Sequence, residues 1–150
     1  MDSTVVVAAM GYVATLLGAW LTVRMQLRGD RSGRLLDAKV RIYGECADAL
    51  YEFERATYNR VKHRLDNSPD DQREPMRQEA YRGNARARSA IGQVAILTGD
   101  ETLRGQLEEA RRSVGGLNDA TSHMDLQARR QAIDTTLTSA LDLARHDLMG

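Results

Sequence analysis

Two charged side chains fall where a helical register calls for apolar ones: Glu54 and Arg130. At 100° per residue, Glu54 shares a face with Val40, Ala47, Leu50 and Val61, and Arg130 falls beside the stripe of Leu126, Ile133 and Leu137. A buried carboxylate needs a partner or must take up a proton, so the pattern predicts that the two pair across a helical bundle. A structural ion pair is the first reading of such a pair, and an internal ligand or catalytic site the second. Tyr51, Arg55, Tyr58 and Lys62 recur four, three and four residues apart along one flank. Such a ladder of aromatic and cationic groups could bind a partner, or could be covered by a neighbouring helix.

Nothing else in the chain converges on chemistry. There is no phosphate loop, dinucleotide glycine pattern, metalloprotease helix or nucleophile elbow. The histidines at 63, 123 and 146 are scattered, and the pairs Asp70-Asp71 and Glu108-Glu109 diverge by about 100° on a helix, so neither set surrounds an ion. Cys46 stands alone, which excludes an internal disulfide and fits a reducing compartment. No catalytic, cofactor-binding or metal-ligating residue is expected, and the chain reads as a non-enzyme.

The elements that must position these residues begin with a membrane anchor. From Val5 to Val23 there are 19 consecutive uncharged residues, about 28 Å as a helix and close to the roughly 30 Å of a bilayer core. Asp2 precedes the run and Arg24, Arg28, Arg31 and Arg34 follow it, which is the wrong polarity for a cleaved signal peptide. It is the polarity of a single span with its N-terminus outside a bacterial inner membrane and its C-terminal part in the cytoplasm. The four arginines could also meet anionic head groups. Ala8, Gly11, Thr15, Gly18 and Thr22 lay a shallow stripe on the span that would suit pairing with a second copy.

Residues 1–27 are therefore read as anchor, 28–34 as a basic hinge containing Gly29 and Gly33, and 35–150 as a cytoplasmic domain. Within that domain, Leu36, Val40, Tyr43, Ala47, Leu50, Thr57, Val61 and Leu65 mark the first helix. The second is expected to be capped by Ser68, with Pro69 in its first turn and Asp71 three residues after the cap, or alternatively to start at Pro75, and carries a thin stripe of Met76, Ala80, Ala87, Ile91, Val94 and Thr98. Gly99 ends it and Asp100 caps a third helix with Leu103, Leu107, Ala110, Val114 and Leu117. After Gly115-Gly116, a last helix starts near Thr121 or Ser122 with Leu126, Ile133, Leu137, Leu141, Ala144 and Leu148 inward. The fold class is all-α: a transmembrane helix followed by an antiparallel bundle of about four amphipathic helices.

Formal charge is zero: the first 34 residues carry four Arg against two Asp, and the remainder carries 17 basic against 19 acidic side chains. A general polyanion binder is not expected, although five arginines between Arg73 and Arg88 form the most basic stretch of the domain. The anchor, the Leu35-Leu36-Asp37-Ala38 opening of a Tyr-containing helix, the Gly99-Asp100-Glu101 restart and the Ala144-Arg145-His146-Asp147-Leu148 ending resemble a group of uncharacterised actinobacterial single-span membrane proteins. That resemblance implies architecture only, since the group supplies no activity to carry over. The functional expectation is a membrane-tethered interaction or adaptor module whose partners are the bilayer and another protein, with self-association through the span. The alternatives are a ligand-binding or catalytic bundle built on Glu54 and Arg130, and an anionic-lipid or nucleic-acid binder acting through the arginines.

Overall fold

Backbone punctuation decides where the helices stop. In the computed structural model the helices are α1 (Ser3–Leu65), α2 (Asp70–Thr98), α3 (Glu101–Gly115) and α4 (His123–Met149), with a 3-10 turn (Gly116–Asp119) before α4. The structure describes the backbone of residues 3–149 and the side chains of residues 33–149. The proposed span, its small-residue stripe (Ala8, Gly11, Thr15, Gly18, Thr22) and Arg24, Arg28 and Arg31 lie outside the described side chains. Among the described residues no helix is long and apolar enough to cross a membrane.

Asn67 takes a left-handed φ of 52° and ends α1. Ser68 N–H reaches back to the His63 carbonyl at 3.0 Å and Asn67 N–H to that of Arg64 at 3.2 Å, the paired bonds that satisfy the last carbonyls of a helix. Asp70 and Asp71 then place negative charge at the start of α2. Ser68 does not cap α2: its hydroxyl is taken by His63 Nδ1 at 3.0 Å. Pro75 lies inside α2 because the amide it lacks would have bonded the carbonyl of exposed Asp71, which water can reach.

At the next break Gly99 has φ +64°, a conformation that costs other residues a Cβ clash. Asp100 accepts from Thr102 N–H at 2.8 Å and Leu103 N–H at 3.0 Å. The cap read from the sequence is therefore in place. Ser122 Oγ accepts from Asp125 N–H at 3.1 Å, and the Asp125 carboxylate reaches back to Thr121 N–H at 3.0 Å; this reciprocal pair starts α4. The hydrogen bonds it accepts from Thr121 N–H and from Arg129 hold the Asp125 carboxyl below its usual range.

The chain divides into two compact units, residues 1–38 and Lys39–Gly150, and the second is the bundle. Side-chain contacts give its topology. Lys39 meets Asp147 while Tyr58 meets Gln127, so α4 runs antiparallel to α1. Glu52 meets Arg86 and Arg60 lies over Tyr81, so α2 is antiparallel to α1 as well. Arg111 reaches Asn84, and Arg129 reaches the Gly116 carbonyl, completing an up-down-up-down order.

Leu50, Val61, Ile91, Val94, Leu107, Leu126 and Leu137 form one core, each fully buried Leu contributing about 2 kcal/mol. The thin stripe of α2 is there for close approach. Ala80, Ala87 and Ala90 are buried, and a Cβ on Gly83 would stand 3.1 Å from the Phe53 Cα.

Some expectations need correction. Leu36 and Val40 are 46% and 53% exposed, because the buried face of α1 turns onto Tyr43, Cys46, Leu50 and Phe53, which the eight-residue stripe only partly named. The backbone of α1 is helical through Gly29 and Gly33, where a break was expected. Two glycines at about 1 kcal/mol each are outweighed by helix that propagates from both sides.

Candidate functional site

The predicted pair is present. The Glu54 side chain leaves α1 in the middle of its buried face, and the residue is 8% exposed. Its Oε1 lies 2.8 Å from Arg130 Nε on α4. No hydrogen bond is aligned onto that oxygen, so the contact is one of charge. Arg130 sits at the edge of the core, with its side chain 45% exposed, which places the pair nearer the ~1 kcal/mol of a partly solvated bridge than the larger penalties of a sealed one.

The aromatic ladder belongs to the same site. Arg130 Cζ stands 4.5 Å from the centroid of the Tyr58 ring, and Tyr58 Oη accepts from Gln127 Nε2 at 2.7 Å. Tyr51 and Glu54 from α1, and Gln127, Arg130, Asp134 and Leu137 from α4, line a groove of about 710 Å³. A cleft of about 350 Å³ beside it adds Asp48, Glu52 and Arg55. Lys62 is exposed and lines neither. Two features read separately along α1 thus form one surface, because α4 lies antiparallel across them.

Chemically the groove presents an aromatic wall, a neutralised carboxylate–guanidinium pair and amide edges. That inventory suits recognition of a polar or charged partner surface. Glu54 and Arg130 face one another, while Asp134 on the same wall has no ion-pair partner among the described residues.

A second polar cluster was not anticipated. Lys39 Nζ donates to Asp147 Oδ2 at 2.8 Å, and Tyr43 Oη donates to the same oxygen at 2.5 Å. These bonds, that from Lys39 first, hold the Asp147 carboxyl below its usual range. Burial, and then Asp147, push the Tyr43 phenol well above the ordinary value. The signal lay in the topology: in an antiparallel bundle the stretch of α1 that enters the bundle stands beside the last turns of α4.

The remaining candidates are dispersed. His123 Nε2 lies 3.0 Å from Asp66, and His146 is exposed. Burial pushes the Cys46 thiol up to about 12. Arg34 is exposed and makes an interaction of its own. Among the described residues, no group of three or more His, Cys, Asp or Glu could hold a metal ion.

The profile of the KilB plasmid transfer protein family matches residues 40–148. This chain belongs to the KilB family. The KilB match covers the bundle, including the Glu54–Arg130 groove and the Lys39–Tyr43–Asp147 cluster except for Lys39. It supplies the relationship for which the sequence suggested actinobacterial membrane proteins, and no match to that group accompanies it. No curated protein and no solved structure matches the chain.

Proposed function

We propose that this chain is a non-enzymatic helical adaptor for plasmid transfer, held at the cytoplasmic face of the membrane by its N-terminal segment. The observation that carries the proposal is the coincidence of the KilB match with the four-helix bundle. The uncharged run from Val5 to Val23, followed by Arg24, Arg28, Arg31 and Arg34, supports the tether and the orientation. A tether confines the bundle near the membrane, so a modest contact surface suffices to hold a partner there. The α1–α4 groove, with Tyr51, Tyr58 and Arg130, is the surface proposed to make that contact.

The test is plasmid transfer from donor cells that carry the full chain, the chain without residues 1–34, or the full chain with Tyr51→Ala. Transfer is expected to fall in both variants, with the truncated chain recovered in the soluble fraction and the Tyr51→Ala chain still in membranes. Undiminished transfer by the truncated chain would remove the tether from the proposal. Cross-linking in native membranes then identifies the protein lost from the Tyr51→Ala complex. A second reading, a ligand-binding bundle, is favoured by the volume of the groove beside Glu54, and a small molecule co-purifying with the wild type and absent from an Arg130→Met variant would support it.

A further inference from the structure

Another cavity lies on the far side of α1 from that groove, between α1, α2 and the end of α3. It encloses about 270 Å³, and its wall includes Thr57, Arg60, Tyr81, Asn84, Arg111 and Arg112. Three guanidinium groups from two helices converge there. Glu108 holds Arg111 at 2.9 Å and Glu109 holds Arg112 at 3.3 Å, whereas Arg60 has no carboxylate partner among the described residues and lies over the Tyr81 ring, 5.4 Å from its centroid. The balance around the cavity is thus one positive charge. Stacking an arginine on a ring fixes its plane and leaves its N–H edge available.

The donors are also pre-oriented. Arg111, with its side chain 21% exposed, spends Nε on Glu108 and one N–H of Nη1 on Asn84 Oδ1 at 2.8 Å. That bond fixes the Asn84 amide so that its Nδ2 is left as a donor, and Nη2 of Arg111 remains uncommitted. Thr57, in the same wall, is 1% exposed and its hydroxyl has no hydrogen-bond partner. Buried polar groups are rarely left unmatched without a reason. Arg73 and Arg77, by contrast, are neutralised within α2 by Asp70 and Glu74, and Arg130 by Glu54, while other arginines without a carboxylate partner among the described residues, such as Arg55, Arg82 and Arg88, stand outside this cavity.

We infer that this cavity is a binding site for a small phosphate group, with Arg60, Arg111 and Asn84 as the donors that grip its oxygens. An excess positive charge, planar N–H forks and a volume sufficient for one or two phosphoryl units match that ligand chemistry. Both free phosphate and the terminal phosphate of a small ester fit the description. The site is separate from the α1–α4 groove, so it stands or falls independently of the adaptor role.

The experiment is isothermal titration of the full chain in detergent with inorganic phosphate, in chloride buffer at matched ionic strength, alongside thermal unfolding. One phosphate is expected per chain, with a rise in unfolding temperature. Arg60→Gln should weaken binding about tenfold or more, the worth of a charge-assisted contact. Asn84→Asp keeps the acceptor for Arg111 and hence the fold, but its charge should repel phosphate by at least as much. Arg88→Gln, exposed on α2 and outside the cavity, should change nothing. Pyrophosphate and a nucleoside monophosphate as further titrants separate free from esterified phosphate by which binds tighter. No phosphate-specific heat, equal weakening in Arg88→Gln, or full binding retained in a folded Asn84→Asp variant would each overturn the assignment, as would duplex DNA binding that phosphate does not displace.

Discussion

Removing either partner of the Glu54–Arg130 pair should be costly by different amounts, and the difference follows from their unequal burial. In Glu54→Gln the volume at the buried site is kept and Arg130, already half in water, retains its place over Tyr58; the expected loss is about 0.5–1 kcal/mol. In Arg130→Met the carboxylate stays where it is 8% exposed and loses its counter-charge, and Tyr58 loses the cation above its ring; the expected loss is about 2–3 kcal/mol. The double variant removes the stranded carboxylate, so it should be more stable than the sum of single losses implies, with a coupling of at least about 0.5 kcal/mol. The measurement is thermal unfolding of residues 39–150 by far-ultraviolet circular dichroism, where 1 kcal/mol is worth roughly 4 °C or more. Equal losses in the two single variants, or strict additivity, would refute the reasoning that the buried member controls the energy of the pair.

The Asp147 carboxyl is held below its ordinary value in the fold, so the stability it contributes is present above about pH 4 and is lost as pH falls through the lowered value; Asp147→Asn should flatten the acid limb of unfolding temperature measured between pH 2 and 6. Cys46 is 1% exposed and its thiol is pushed up to about 12, so a thiol-reactive chromophore should label the bundle only as it unfolds; stoichiometric labelling of folded protein at pH 8 would contradict that burial. A methyl added at Gly92 would enter open space, whereas one at Gly83 would meet the Phe53 backbone: Gly92→Ala should raise stability by about 0.5–1 kcal/mol, and Gly83→Ala should lower the unfolding temperature despite the same gain in helix propensity.

The parts of the fold that were legible in sequence are those governed by local chemistry. Gly99 and Asp100 announced a stop and a start because a left-handed residue and a side-chain acceptor are needed at those points whatever surrounds them. The apolar ladder of the third helix was read correctly, since Leu103, Leu107, Ala110 and Val114 of α3 and Leu117 in the 3-10 turn that follows are all buried. Ser68 misled, because a hydroxyl three residues before an acid has more than one use and the neighbouring His63 claimed it. The inward face of α1 was only partly legible: one helix cannot disclose how far it turns toward each neighbour, and Cys46 and Phe53 became core through packing against α2 and α4.

The candidate site divides the same way. Glu54 stood out as a charge on an apolar face, and Arg130 as its counterpart. That Tyr58 and Gln127 join them depends on the register of α4 against α1, which periodicity within one helix does not contain. The Arg60 cavity was illegible for the same reason, since Arg60 is far in sequence from Arg111 and Arg112 and each is ordinary in its own helix.

The bond from Lys39 to Asp147 has a meaning for how this module can be spliced. It places the point where the backbone comes into the bundle beside the point where it goes out, 108 residues later. A folded unit with adjacent ends can be carried in a surface loop of another protein without stretching its host, or be rejoined end to end and reopened elsewhere. The exposed turn of Asp66 and Asn67, opposite those ends, is the natural place for new termini. A permuted chain opened there, with a short bridge from residue 149 to residue 39, should keep the α1–α4 groove intact even though α1 would then follow α4 in synthesis.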